Sequence, residues 1–308
     1  MGCNAPQGLI AGCIPSRCGS NCSMQPLRLT FRVKPALLRT LLLSGVLLLP
    51  GSVCAHGSLH GAINKATKRI RENPTDGNAY AHRGRLRMLH GEREAAVADL
   101  DKAIELGVPP DRVALDVAEA LTRAGRYREA LPYIDEYLQQ HPEASRALLQ
   151  KARVYAALTN AAASAAAYRE MIRVSKRTTP DIFVAAARQQ ALTGDVDGAL
   201  ALLDRAVEQL GDLAVLHQSA MELALEHQRY DDALRHVDAQ LTAVPGNVHW
   251  LVLKARVQVA AGDAEAARVA AAEARAAIGA LPVRRRQTPL VRELRSEVME
   301  ILERHGDR

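Results

Sequence analysis

Beyond residue 55 the chain contains no cysteine, since Cys3, Cys13, Cys18, Cys22 and Cys54 account for all five. That body therefore has no disulfide, no thiolate nucleophile and no cysteine metal ligand. Aromatic side chains are scarce too: two phenylalanines, one tryptophan and seven tyrosines in 308 residues. A core centred on large rings is disfavoured, and close-packed helices with small contact residues fit the alanine-rich composition better. Acidic residues are missing from positions 1–55, which hold five of the cations behind the formal net charge of +6 and leave the rest at +1. A near-neutral body lacks the electrostatic footprint of a phosphate-backbone binder, so nucleic acid is disfavoured as a partner. Catalytic signatures are absent as well: no G-x-S-x-G elbow, no P-loop, no dinucleotide glycine fingerprint and no H-E-x-x-H. The paired acids Asp231 and Asp232 fall beside an inter-helix turn, where first-turn carboxylates ordinarily face solvent. The chain reads as non-enzymatic and free of cofactors.

Residues 24–55 follow the pattern of a secretory leader. Arg28, Arg32, Lys34 and Arg39 precede an apolar run from Leu41 to Leu49, then Pro50 and small residues. Val53-Cys54-Ala55 places small side chains where a leader peptidase cuts, and cleavage after Ala55 would leave His56 first. The stretch from Thr40 to Ala55 is shorter than the roughly 20 residues needed to span a bilayer. The expectation is a periplasmic or secreted protein without stable membrane insertion after cleavage, an uncleaved anchoring leader being the weaker alternative. Residues 1–23, cysteine-dotted and ahead of the basic region, read as a disordered, over-extended start.

The body repeats itself every 34 residues, with units starting near Gly77, Asp111, Ser145, Pro180, Ala214 and Val248. One step, 145 to 180, is longer by a single residue. A small or slender residue stands at position 8 of each unit (Gly84, Ala118, Ala152, Ala187, Met221, Ala255) and another at position 20 (Ala96, Ala130, Ser164, Ala199, Ala233, Ala267). Between them comes a turn such as His90-Gly91-Glu92 or Ala261-Gly262-Asp263, in which glycine supplies the positive φ that ends a helix. Two antiparallel helices per unit, crossing at the small residues, satisfy this pattern. The alanine-heavy run from Ala161 to Ala167 marks the third unit as the place of loosest packing.

Period, paired small positions, the Tyr-x-x-Ala runs at Tyr127–Ala130 and Tyr230–Ala233, and unit-closing breakers such as Pro142 and Pro245 together resemble the tetratricopeptide repeat, as an exported bacterial member. The resemblance covers residues 77–281 and implies an all-α fold: a right-handed α-α superhelix of about six helix-turn-helix repeats. Residues 56–76, with the stripe Leu59, Ala62, Ile63, Ala66 and Ile70, are expected to form an N-terminal half-repeat helix. In residues 282–308 a basic linker, Arg284–Arg286, leads to a capping helix that starts at Thr288-Pro289 and is striped by Leu290, Leu294, Val298 and Ile301.

The same resemblance implies a non-enzymatic scaffold that takes a protein or peptide in a concave groove, with repeat positions 2, 5, 9, 12 and 13 facing inward. Position 9 carries Arg85, Glu119, Arg153, Arg188, Glu222 and Arg256, and Arg112, Arg123 and Arg146 stand at other inward positions. The arginine fork suits a carboxylate, which points to an acidic partner segment. The alternative is an internal ladder pairing these arginines with Glu119, Asp181, Glu222 and Glu226. The family's clamp for chaperone tails is not reproduced, since its positions hold Ala81, Arg85, Asp116, Arg146 and Gln150. A different class of function rests on His56 and His60: a free N-terminal histidine offers amine and imidazole nitrogens suited to copper(II), which would make the chain a metal-handling or enzyme-accessory protein.

Overall fold

The computed structural model describes the backbone of residues 54–305 and the side chains of residues 58–305. The expected over-extended start, nearly all of the leader and the His56 side chain lie outside the described residues.

A first helix, α1 (Cys54–Glu72), precedes six pairs: α2 (Gly77–His90) with α3 (Arg93–Glu105), α4 (Pro110–Arg123) with α5 (Tyr127–Gln140), α6 (Ser145–Ala157) with α7 (Ala161–Val174), α8 (Pro180–Ala191) with α9 (Val196–Leu210), α10 (Ala214–Glu226) with α11 (Tyr230–Ala243), and α12 (Val248–Ala261) with α13 (Ala264–Ala280). The chain continues through α14 (Val283–Arg286) to α15 (Pro289–His305), and no strand occurs among the described residues.

Sequence chemistry accounts for the helix ends. Asp76, Asn160, Asp195, Asn247 and Asp263 each accept a backbone N–H of the first turn that follows, while Pro110 and Pro180 start their helices at a position needing no N–H donor. Position 15 of every unit closes the first helix with a positive φ: Gly91, Gly125, Gly194 and Gly262, but also Thr159 at 57° and Gln228 at 58°. Glycine is thus not required there, although two units meet the backbone demand with a side chain poorly suited to it.

All twelve residues at positions 8 and 20 are buried. The crossing of α2 and α3 leaves no room for a side chain at position 8, since a Cβ added to Gly84 would lie 2.9 Å from Leu100 Cγ and 3.1 Å from the Ala96 carbonyl oxygen. Position 24 fills the space behind with Leu100, Ile134, Tyr168, Leu203, Val237 and Ala271, all buried. Removing most of a side chain such as Ile134 from this layer costs about 2–5 kcal/mol. In the alanine-heavy third unit, Ser164, Ala165 and Ala167 are buried and the Ser164 hydroxyl donates to the Ala152 carbonyl at 2.8 Å. On the outer side of α7, however, the small side chains Ala165, Ala186, Gly198 and Ala201 leave a crevice towards α8 and α9.

Each helix packs on its pair partner and on the next element in the chain, the nearest-neighbour pattern of an all-helical solenoid. First helices also touch across units, α2 with α4, α4 with α6 and α8 with α10, whereas no two second helices approach as closely. A stack with one layer more tightly spaced bends towards that layer, so the first helices line the inner side.

The ends close the apolar core. Helix α1 buries Ile63, Ala66 and Ile70 and packs on α2, while α15 packs on α12 and α13 and buries Leu294, Val298 and Ile301. Two details differ from expectation. The expected linker Arg284–Arg286 is itself a turn of helix, because Pro282 presets the chain and the Arg285 and Arg286 N–H groups return to its carbonyl. Leu290, assigned to the buried stripe, is 62% exposed, and its neighbour Val291 packs on the core in its place, so the buried face of α15 starts one residue later.

Candidate functional site: the inner groove of the first helices

The inner surface is built from residues that α2, α4, α6, α8, α10 and α12 hold at matching positions. Arg85 donates to Asp116 at 2.5 Å across the α2–α4 gap. Glu119 accepts from Arg123 at 2.8 Å and from Arg146 of the next unit at 3.0 Å. Arg188 lies 3.8 Å from Glu222. Arg256 forks onto Glu297 of α15, with one bond at 2.5 Å. Arg153 pairs with no carboxylate among the described residues. It stands beside Tyr168, whose hydroxyl is pushed up by burial against the pull of the Arg153 charge.

Four of the six position-9 residues, Arg85, Glu119, Arg188 and Glu222, therefore belong to a charge ladder between neighbouring first helices, and a fifth, Arg256, pairs with the capping helix α15. Two of its carboxylates, Glu119 and Glu222, are those the sequence suggested. Asp116 and Glu297 stand where Asp181 and Glu226 were expected, because the partner must lie on an adjoining helix at a matching height. A spacing of 31 residues, from 85 to 116, was the available signal; Glu297 had none, lying outside the repeat.

Two clefts run along this surface. One, between α2, α4 and α6, is lined by Arg85, Leu89, Arg112, Leu115 and Arg146; the other, between α4 and α6, by Glu119, Thr122, Leu149 and Arg153. Leu89 is 65% exposed in the first cleft with Arg112 and Arg146 exposed beside it, and Arg153 is exposed in the second. The groove thus combines arginines, the carboxylates Asp111, Asp116 and Glu119, and uncovered aliphatic surface.

Two polar clusters lie elsewhere and escaped sequence reasoning. Arg83 donates through Nε and Nη2 to Asp99 at 2.8 and 2.6 Å, and Arg87 adds a third bond at 2.8 Å, all between α2 and α3. Between α10 and α11, His217 bonds Asp212 and meets His236 at 3.2 Å between their Nδ1 atoms, while Gln240 donates to the same Asp212 oxygen at 3.2 Å. Burial, reinforced by Arg235, holds the His236 imidazole down to about 4. Asp231 and Asp232 occupy the first turn of α11, Asp232 accepting from Arg229 at 2.8 Å, as ordinary helix-start acids. His60 is exposed, its ring centroid 6.0 Å from that of His90. No group of three or more metal-ligating side chains occurs among the described residues, and no helix there is long and apolar enough to cross a membrane.

Fold and groove define a helical-repeat scaffold with an inner binding face. Tetratricopeptide repeat models match residues 110–154 and 221–280, so the chain carries tetratricopeptide repeats. Among solved structures it is similar to a tetratricopeptide repeat protein from Parabacteroides merdae ATCC 43184, at 16% identity over 79% of this chain and 93% of that one, with a TM-score of 0.50. It is also similar to the C-terminal part of a TPR repeat-containing protein from Cytophaga hutchinsonii, at 12% identity over 73% and 92%, with a TM-score of 0.60. At such identities the likeness is one of fold. Among curated proteins, none matches this chain in sequence.

Proposed function

We propose that this chain is an exported, non-enzymatic scaffold that holds an acidic segment of an envelope or secreted protein in its inner groove. One observation carries the reading: exposed Leu89 lies beside Arg112 and Arg146 in the same cleft. A ligand with apolar and acidic residues would cover the leucine and meet both arginines. Arg153 offers a further cation without a carboxylate partner. The half-exposed pair Arg188–Glu222 is worth about 0–1 kcal/mol, so an incoming carboxylate can exchange into it. The leader-like residues 24–55 support export, which would bring such partners within reach.

The test is capture from envelope extract by the wild type and by an Arg112→Ala, Arg146→Ala, Arg153→Ala variant, with captured proteins quantified by mass spectrometry. Loss of a specific partner with unchanged helicity is expected, and undiminished capture would count against the groove. Intact mass of the protein recovered from its host reads the export step. A chain starting at His56 is expected; one retaining residues 24–55 would refute cleavage after Ala55.

A further inference from the structure

On the outer side of the stack, α7, α9 and the Ser175–Thr179 connection enclose a second cleft, remote in character from the inner groove. Its walls carry five cations, Arg169, Arg173, Lys176, Arg177 and Arg205, with Ile172 and Leu210 between them. Arg169 and Arg205 also line the crevice left by the small residues of α7 and α9, so the two recesses are continuous. In a body of net charge +1 beyond residue 55, five cations in one cleft is a concentration rather than an average. The nearby carboxylates cancel only part of it: Glu170, in the same cleft, neutralises Arg173 through bonds of 2.6 and 2.9 Å, and Asp195, which caps α9 and accepts from Gln190, feels Arg169 only through space. Arg169, Lys176, Arg177 and Arg205 are exposed and pair with no carboxylate among the described residues.

The backbone explains why the cations gather there. The connection between α7 and α8 is the longest between units, five residues, Ser175–Thr179, where the others have three or four. This is the unit that departs from the 34-residue step. The additional length carries Lys176 and Arg177 out beside the end of α9, and the Ser175 hydroxyl organises the loop by donating to the Arg177 carbonyl at 2.8 Å.

We infer that this outer cleft is a second binding site, for an acidic peptide segment of a partner protein with an aliphatic residue among its carboxylates. The cations supply charge-assisted hydrogen bonds, and Ile172 and Leu210 supply the apolar contact. The cations line a recess between helices rather than a protruding face, which favours an extended chain over a flat membrane surface. A nucleic acid would find no aromatic side chain in the cleft on which to stack a base.

The probe is a fluorescein-labelled twelve-residue peptide of Asp and Glu with one central Leu, titrated by anisotropy into the full chain. Three proteins are compared: wild type, Arg169→Gln/Arg205→Gln for the outer cleft, and Arg146→Gln/Arg153→Gln for the inner groove. The wild type should show two saturable sites: the outer-cleft variant should weaken one of them at least tenfold, with unchanged melting, while the inner-groove variant retains it. Loss confined to the inner-groove variant overturns the inference and leaves the groove reading standing; the converse separates the two the other way. Absence of peptide binding overturns it. So does preferential capture by phosphatidylglycerol vesicles or a single-stranded oligonucleotide.

Discussion

Replacing Thr159 or Gln228 by glycine should stabilise the protein although it deletes a side chain. Both residues end a first helix at φ near 58°, the left-handed region occupied at the same repeat position by Gly91, Gly125, Gly194 and Gly262. For a residue with a Cβ this conformation costs roughly 1–2 kcal/mol, more for a β-branched side chain such as Thr159. Against this gain stands the larger entropy that glycine loses on folding, about 0.5–1 kcal/mol. The side chains hold little in place: Thr159 is exposed and its hydroxyl bonds only the carbonyl of neighbouring Leu158, and Gln228 is exposed. The net gain is therefore about 0.5–1 kcal/mol per site, larger at 159, which corresponds to a rise of about 1–4 °C in Tm. The mirror experiment is cleaner still. A Cβ at Gly125 meets no atom within 4 Å, so Gly125→Ala isolates the backbone cost and should lower stability by about 1 kcal/mol. Urea titration followed by helical circular dichroism measures all three. A Thr159→Gly variant less stable than wild type, or a neutral Gly125→Ala, would refute the reasoning.

Two further outcomes follow from the buried polar clusters. Asp99→Asn should destabilise by about 3 kcal/mol in the same titration, because Arg83 is left buried without its counter-charge, its side chain only 12% exposed; a change below 1 kcal/mol would show that Asp99 is not needed there. His236, held at about 4 among Arg235, Asp204, His217 and Asp232, favours the uncharged ring in the folded state. Its contribution is fully present above the ordinary imidazole value of about 6.5 and is lost as pH falls from there towards 4, up to about 3 kcal/mol. Stability should decline over that window, and His236→Asn should flatten it; equal slopes in the two proteins would sink the assignment.

The repeat was legible because its demands are local. A small residue at positions 8 and 20, a turn between them and a 34-residue return are properties of composition and spacing, and each recurs often enough to rise above chance. The turn at Gln228 shows the limit of that reading: the residue type there argues against a left-handed backbone, and only the packing of α10 against α11 imposes it. The groove was legible as a row of arginines at position 9, but not as free or neutralised charge. That depends on which carboxylate stands across the gap, and for Arg256 the partner, Glu297, comes from a helix outside the repeat.

Helical periodicity, capping residues and small contact positions are encoded within a few dozen neighbouring residues, so the amino-acid order alone determined an all-helical stack, whereas the side on which the first helices lie follows from how the units are spaced once stacked. Charge pairing, the two buried clusters and the basic recess beside α7 needed tertiary structure, because each joins residues from helices that are neighbours only once stacked. An ion pair or a cleft is a matter of a few ångströms between distant segments, and sequence spacing carries that distance only where the repeat is regular.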